Sequence, residues 1–330
     1  MPLVYCSLAS LLKKYSSFNS LYADKMIGLR KGRKMGSKET TLESCALCGA
    51  SDFVMLYKRI KDHSNIVTCK SCQVTFSNPQ IEMNYADDKK YVVNYLKNED
   101  GRRKTAQWRL DQIKKFKSEG KIFEVGCSGG LFLDEARKSG FDSSGAELNK
   151  YAVTYGREHL GLTVHEEIDL KNIDFQKKCD VVALFNVLEH VPRPTEFINT
   201  IKDHVLAEHG IIVIEVPNIF TIHSKLFGTK GQHLSIAHLF YFSEKPLENY
   251  LESMGLTIVD KQWGKRIYPI GLSFEIVLRR HKFLKNVVSK VLKTFRLFDK
   301  DTSLNTKDFL FYIVGRKTAG EKVQEEMIWT

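Results

Sequence analysis

Two Cys-x-x-Cys pairs, Cys45/Cys48 and Cys69/Cys72, stand 20 residues apart. Four thiolates in two knuckles at this spacing suit tetrahedral zinc. Cysteine fills every ligand position, so the expected site is closed and structural, with no open position for catalysis. Zinc would stabilise a segment too short to fold on an apolar core alone. Free thiols, a redox pair and a rubredoxin-like iron are the competing readings. The second knuckle ends in Gln73 where Gly is commoner. A second chemical feature is the turn Glu124-Val125-Gly126-Cys127-Ser128-Gly129-Gly130, placed between an apolar run and a helical pattern. Glycines there permit tight turning and close approach of backbone to a ligand. Glu147 follows 21 residues after Gly126, where a carboxylate can accept hydrogen bonds from ribose hydroxyls. A dinucleotide fingerprint laid on Gly126 would need glycines at 128 and 131, and the residues are Ser128 and Leu131, which argues against NAD.

These residues need a frame, and the pattern supplies an alternating one from Lys121 onward. Strands are expected at Lys121–Val125, Ser143–Glu147, Leu162–His165, Asp180–Phe185, Ile211–Val216, Leu256–Lys261 and Phe309–Val314. Helices are expected at Leu131–Ser139, Lys150–His159, Pro194–His204 and Pro246–Met254, with Gly140, Gly210 and Gly255 at their C-caps. The runs Val181–Phe185 and Ile211–Ile214 are continuously apolar, as strands covered on both faces of a parallel sheet read. The expected fold is a doubly wound α/β sheet, mostly parallel and seven-stranded, with a small N-terminal zinc ribbon. Ligands in such sheets bind beyond the carboxyl ends of the strands. Four segments follow: a basic tail (1–44), the cysteine module (45–80), a helical connector on the substrate side (81–118), and the α/β domain (119–330).

Glu124–Gly130 resembles motif I of class I S-adenosylmethionine-dependent methyltransferases, with Ser128 in the middle glycine position. Gly145–Asn149 resembles that family's second motif. Cys179–Val182 with Phe185–Val191 is similar to its fourth strand and following loop, and Glu215–Asn218 to the end of its fifth strand. The resemblance implies a Rossmann-like domain that binds S-adenosylmethionine through Glu124, Gly126, Cys127, Ser128, Gly129, Glu147 and Leu148. It places Asp169 near adenine, and Asn186 and Val187 beside the sulfonium. A zinc ribbon joined to such a domain resembles a bacterial group of polysaccharide- and sugar-modifying methyltransferases. His233–Ser243 adds to this likeness, although the group's Glu-His pair reads Ala237-His238 here. The resemblance covers about residues 45–316.

Methyl transfer to a hydroxyl needs positioning and a general base. His238, in the loop after strand five, is the expected base; His190, after strand four, is the expected positioning group or alternative base. Each has a bland alternative, as a helix cap or the filling of a polar niche. The missing carboxylate at 237 favours O-methylation over sugar C-methylation, which needs enolate stabilisation. A non-catalytic cofactor-binding protein is a further reading.

Composition narrows the partners. The chain has 330 residues and a formal charge of +11. Residues 1–44 hold eight bases and three acids, and residues 276–330 hold twelve and six, leaving 30 of each sign between them. The neutral middle is no nucleic-acid groove. No Pro-Pro-aromatic run follows the fourth strand and no Pro-Cys nucleophile is present, so RNA methylation is a runner-up. Seven cysteines, an odd number, point to a reducing, cytoplasmic setting. Residues 1–38 read as a tail, a targeting extension or a start upstream of Met26 or Met35. Between Arg279 and Phe298 there are seven Lys/Arg and no acid, with apolar residues at helical spacing. Such a basic amphipathic insertion (279–298) can pack on the domain, pair with a second subunit, or lie on an anionic membrane and serve a lipid-linked acceptor.

Overall fold

The structure, a computed structural model, describes residues 38–60, 64–83, 86–221, 235, 237–271, 274, 282–295, 297–298, 300–303 and 307–317. The first 37 residues of the expected tail, His233, and residues 279–281 and 296 of the basic insertion lie outside these.

Strands β1 (Lys38–Thr40), β2 (Phe53–Ile60), β3 (Ser64–Cys69), β4 (Thr75–Asn78) and β5 (Gln80–Glu82) come first. Helices α1 (Lys89–Leu96) and α2 (Glu99–Lys114) follow. The α/β alternation then runs through β6 (Lys121–Val125), α3 (Leu131–Lys138), β7 (Asp142–Ala146), α4 (Lys150–Glu158), β8 (Thr163–His165), β9 (Cys179–Phe185), α5 (Pro194–Thr200) and β10 (Leu206–Pro217). The chain continues with β11 (Phe240–Tyr241), α6 (Glu244–Ser253), β12 (Leu256–Trp263), β13 (Ile267–Pro269), α7 (Lys282–Thr294), β14 (Asp301–Ser303) and β15 (Phe309–Arg316).

Seven of these strands form the main sheet, in the order β12-β15-β10-β9-β6-β7-β8. All are parallel except β15, which enters antiparallel between β10 and β12. The apolar runs are buried on both faces, as their composition requires. Val182 and Leu184 of β9 join one core cluster, while Val181, Ala183 and Phe185 join the other. The expected doubly wound, mostly parallel seven-stranded sheet is therefore present, and its first strand has the expected bounds.

Two local expectations change. The helix from Pro194 runs as α to Thr200 and finishes in a π turn at Ile201–Val205. Gly210 is no C-cap. It lies inside β10, beside the register shift between Leu206 and Ile211, and a Cβ there would come within 2.7 Å of Leu206 Cδ1. Gly140 and Gly255 do adopt the left-handed φ, at 98° and 70°, just past α3 and α6.

A second sheet has the order β11-β4-β3-β2. Its edge strand β11 lies far along the chain from the other three, with Phe240 paired to Phe76 and Tyr241 to Thr75. Ser77 N–H also donates to the Leu239 carbonyl. The cysteine-bearing sheet thus grips the segment that carries His238.

Candidate functional site

The four cysteines converge. Cys45 Sγ lies 3.7 Å from Cys72 Sγ, and Cys48 Sγ lies 3.5 Å from Cys69 Sγ. All four sulfurs fall within 4.8 Å of one another. Four ligands about 2.3 Å from a tetrahedral zinc stand about 3.8 Å apart, so the donor set fits that ion. Each knuckle closes alike: Gly49 N–H donates to the Cys45 carbonyl and Gln73 N–H to the Cys69 carbonyl. Both closing residues are left-handed, Gly49 at φ 78° and Gln73 at φ 60°. Gln73 thus does a glycine's work at a steric cost of about 1 kcal/mol. Gln73→Gly is expected to raise stability by somewhat less than that. It also removes the exposed hydrogen bond from Gln73 Nε2 to the Lys70 carbonyl. The shift in denaturant midpoint measures the balance.

At the carboxyl ends of β6, β7 and β9 the structure gathers most of the expected cofactor residues. Gly126 takes φ 68°, and a Cβ there would meet Val187 Cγ2 at 2.9 Å. Its N–H and that of Cys127 donate to the Ala146 carbonyl, tying the turn to β7. Ser128 is also left-handed, at φ 50°, and its hydroxyl bonds Tyr91 of α1. Gly129 is crowded from outside: a Cβ there would lie 3.1 Å from Tyr95 and 3.2 Å from Tyr155.

Glu147 sits one residue past β7, buried at 8% exposure. Its carboxylate accepts from Ser128 N–H and from Asn149 N–H, each at 2.8 Å. Each oxygen keeps lone-pair capacity for a further donor, such as a ribose hydroxyl. Glu124 is buried beneath the turn with Oε2 unpartnered, and burial pushes its carboxyl up to about 8. A buried polar atom without a partner is uncommon and fits a ligand-lined cavity. Leu148 is 42% exposed. Asp169 occupies an exposed turn, where its side chain accepts from Lys171 N–H.

Asn186 follows β9 in the left-handed region, at φ 56°. Its N–H donates to the Glu215 carbonyl and its Oδ1 accepts from Arg266 Nη2 at 3.2 Å. Behind it lies a network that sequence reasoning missed. Glu215, wholly buried in β10, receives Arg109 of α2 through Nη2 at 2.7 Å and Nε at 3.2 Å. Arg266 Nη2 pairs with the same carboxylate. Burial alone would raise the Glu215 pKa, but the two guanidiniums outweigh it and hold the carboxylate below its ordinary value. One signal was available: a Glu at the end of an otherwise apolar strand.

The two expected catalytic histidines meet. Their ring centroids are 4.9 Å apart and edge-on. His190 Nδ1 lies 2.8 Å from the Ala237 carbonyl, a bond that requires the proton on Nδ1 and leaves Nε2 with its lone pair. Burial lowers the His190 pKa, which disfavours the protonated ring. Between the histidines the structure adds Glu189, 1% exposed and with neither carboxylate oxygen hydrogen-bonded. Its oxygen and one nitrogen of each ring lie within 4.8 Å of one another. Burial pushes the Glu189 carboxyl up to about 8. A shallow depression alongside, too tight to hold a water molecule, is lined by Glu189, Pro217, Ile219, His238, Phe240 and Tyr241.

The sheet, the glycine turn and the acid beyond the second parallel strand have the architecture of the class I methyltransferase fold. Comparison with known proteins agrees: the family described as a methyltransferase domain matches residues 98–261. Among curated proteins, the chain is 27% identical over 108 residues to the ubiquinone biosynthesis O-methyltransferase of Glaesserella parasuis, covering 30% of this chain and 45% of that protein. It is 27% identical over 124 residues to the one of Actinobacillus pleuropneumoniae, covering 33% and 52%. The chain spans about half the length of these curated relatives. Among solved structures, a SAM-dependent methyltransferase from Archaeoglobus fulgidus aligns at a TM-score of 0.44 and 20% identity, over 68% of this chain and 99% of that one.

Proposed function

We propose that this protein transfers a methyl group from S-adenosylmethionine to a hydroxyl of a sugar or glycan, with His238 as general base. The observation that carries the reading is the cluster of His238, His190 and Glu189 near the carboxyl ends of β9 and β10. The cofactor supplies an electrophilic methyl group on its sulfonium. Glu147 and the backbone of Gly126–Gly129 would hold it, with Leu148 and Asp169 toward adenine and Asn186 and Val187 toward the sulfonium.

His238 takes the proton of the acceptor hydroxyl as the oxygen is methylated. Glu189 stands beside it, and in its ionised form it would offset the positive charge that develops on His238. His190, fixed through Nδ1 on the Ala237 carbonyl, positions the acceptor. The names of the curated relatives support oxygen as the acceptor atom. The sugar or glycan class rests on the likeness of the zinc module and α/β domain to sugar-modifying enzymes. The cysteine cluster is read as a structural zinc that holds the 45–80 module and, through β4 and β11, the His238 loop.

Glu189 favours a second reading. It puts back in space the carboxylate missing at position 237, which sugar C-methylation requires. Product analysis of the methylated acceptor separates a C–CH3 from an O–CH3 outcome. His238→Ala is expected to lower kcat by about 10²–10⁴-fold while leaving S-adenosylhomocysteine affinity within about twofold. Unchanged turnover on the methylated acceptor would remove His238 from the mechanism.

A further inference from the structure

The basic insertion leaves its apolar stripe uncovered. Leu284, Val287, Val291 and Phe295 lie along one side of α7 and just past its end, and they are 48%, 43%, 49% and 68% exposed. An apolar stripe that packs on its own domain is normally the buried face of a helix. Among the described residues, the half-buried side of the helix is Lys285, Val288, Ser289 and Leu292, on the flank of the stripe. Lys290 and Lys293 are exposed on the remaining surface of the helix, Lys285 sits half-buried on the side of Leu292, and there is no acidic residue within it.

The insertion is held by its base instead. β13 pairs with β14. Gly271 N–H donates to the Phe298 carbonyl, and Ile270 N–H to the Lys300 carbonyl. The root is fixed to the domain where Ile267 N–H donates to Thr105 Oγ1 of α2. Its neighbour Arg266 reaches Asn186 and Glu215. A helix fixed at its root and open along its apolar stripe is free to meet a surface outside the molecule. Among the described residues, no helix is long and apolar enough to cross a membrane.

We propose that α7 docks this protein on an anionic lipid surface. Leu284, Val287, Val291 and Phe295 enter the boundary between headgroups and acyl chains, and Lys285, Lys290 and Lys293 flank them against lipid phosphates. Charge complementarity selects this occupant: a face with an apolar centre, basic flanks and no acids matches an anionic bilayer better than a second, equally basic copy of itself. Docking would set the root at Arg266, and with it the site at Asn186, close to the bilayer. The proposal does not depend on the methyl-transfer reading.

The test is co-sedimentation of the full chain with vesicles of phosphatidylglycerol and phosphatidylcholine, against vesicles of phosphatidylcholine alone. Two variants are compared: Lys285→Glu/Lys290→Glu/Lys293→Glu, and Val287→Ser/Val291→Ser. Circular dichroism checks that each is folded. The expected result is salt-sensitive binding to the anionic vesicles only, weakened at least about tenfold in the lysine variant, since each basic residue near the surface contributes about 1 kcal/mol. The apolar variant should lose binding as well. Failure of the wild-type chain to bind overturns the proposal. Binding that survives both variants also overturns it, by assigning the contact to another basic segment such as residues 1–44. A concentration-dependent dimer abolished by Val287→Ser/Val291→Ser overturns it in favour of a second copy.

Discussion

Glu215→Gln is expected to cost about 3–5 kcal/mol of stability, because it leaves two buried guanidiniums around a neutral amide. Arg109 is bidentate on the carboxylate and Arg266 shares its Oε1, while Glu215 has no exposed surface. The penalty comes from the arginines that remain, since taking such groups out of water is costly without a counter-charge. Thermal unfolding should fall by roughly 6–15 °C, a change readable by calorimetry. A second consequence separates this from generic destabilisation. Arg266 also holds Asn186, whose own N–H rests on the Glu215 carbonyl. Loosening the network should therefore weaken S-adenosylhomocysteine binding at temperatures where the variant is still folded. A loss below about 1 kcal/mol would mean that the network contributes little to holding α2 and the β13 root on the sheet.

Removing the zinc proposed for the cysteine cluster is expected to have a still larger effect on the N-terminal sheet. Zinc in small cysteine modules contributes apparent binding energies of about 10–16 kcal/mol near neutral pH, much of it folding energy. Purified protein should carry one zinc per chain by elemental analysis. Chelation, or Cys69→Ser at a buried ligand, should melt β2–β4. The effect travels further than the module. β11 pairs with β4, and Ser77 bonds the carbonyls of His238 and Leu239. Metal loss should therefore lower kcat steeply through His238 while leaving S-adenosylhomocysteine affinity nearly intact, since the glycine turn rests on β6 and β7. Full-length protein that holds no zinc and keeps its stability in chelator would reject the metal.

Much of the main sheet could be read from the chain, because strands covered on both faces are written as uninterrupted apolar runs. Lys121–Val125 has the bounds expected of it, and the glycine turn and Glu147 follow from local spacing. What escaped were groups joined only by folding. Arg109, Arg266 and Glu215 meet across about a hundred residues of chain, and no periodicity links them. Glu189 read as one letter of a loop; its lack of hydrogen bonds and its nearness to His238 exist only in three dimensions. Tyr91 and Tyr95 fall in the segment expected only as a helical connector, yet they close over Ser128 and Gly129. Gly210 misled because a glycine after a helical pattern usually marks a C-cap, whereas here close packing against Leu206 requires it. Strand β11 is two residues long and takes its structure from β4, so its own sequence could not announce it.

The central claim is that the glycine turn and Glu147 bind S-adenosylmethionine. It is tested most directly by calorimetric titration of the zinc-containing protein with S-adenosylhomocysteine, using NAD as control. The account predicts micromolar affinity for S-adenosylhomocysteine, none for NAD, and a loss of at least about 100-fold in Glu147→Ala. Absence of binding by folded, zinc-replete protein would contradict it.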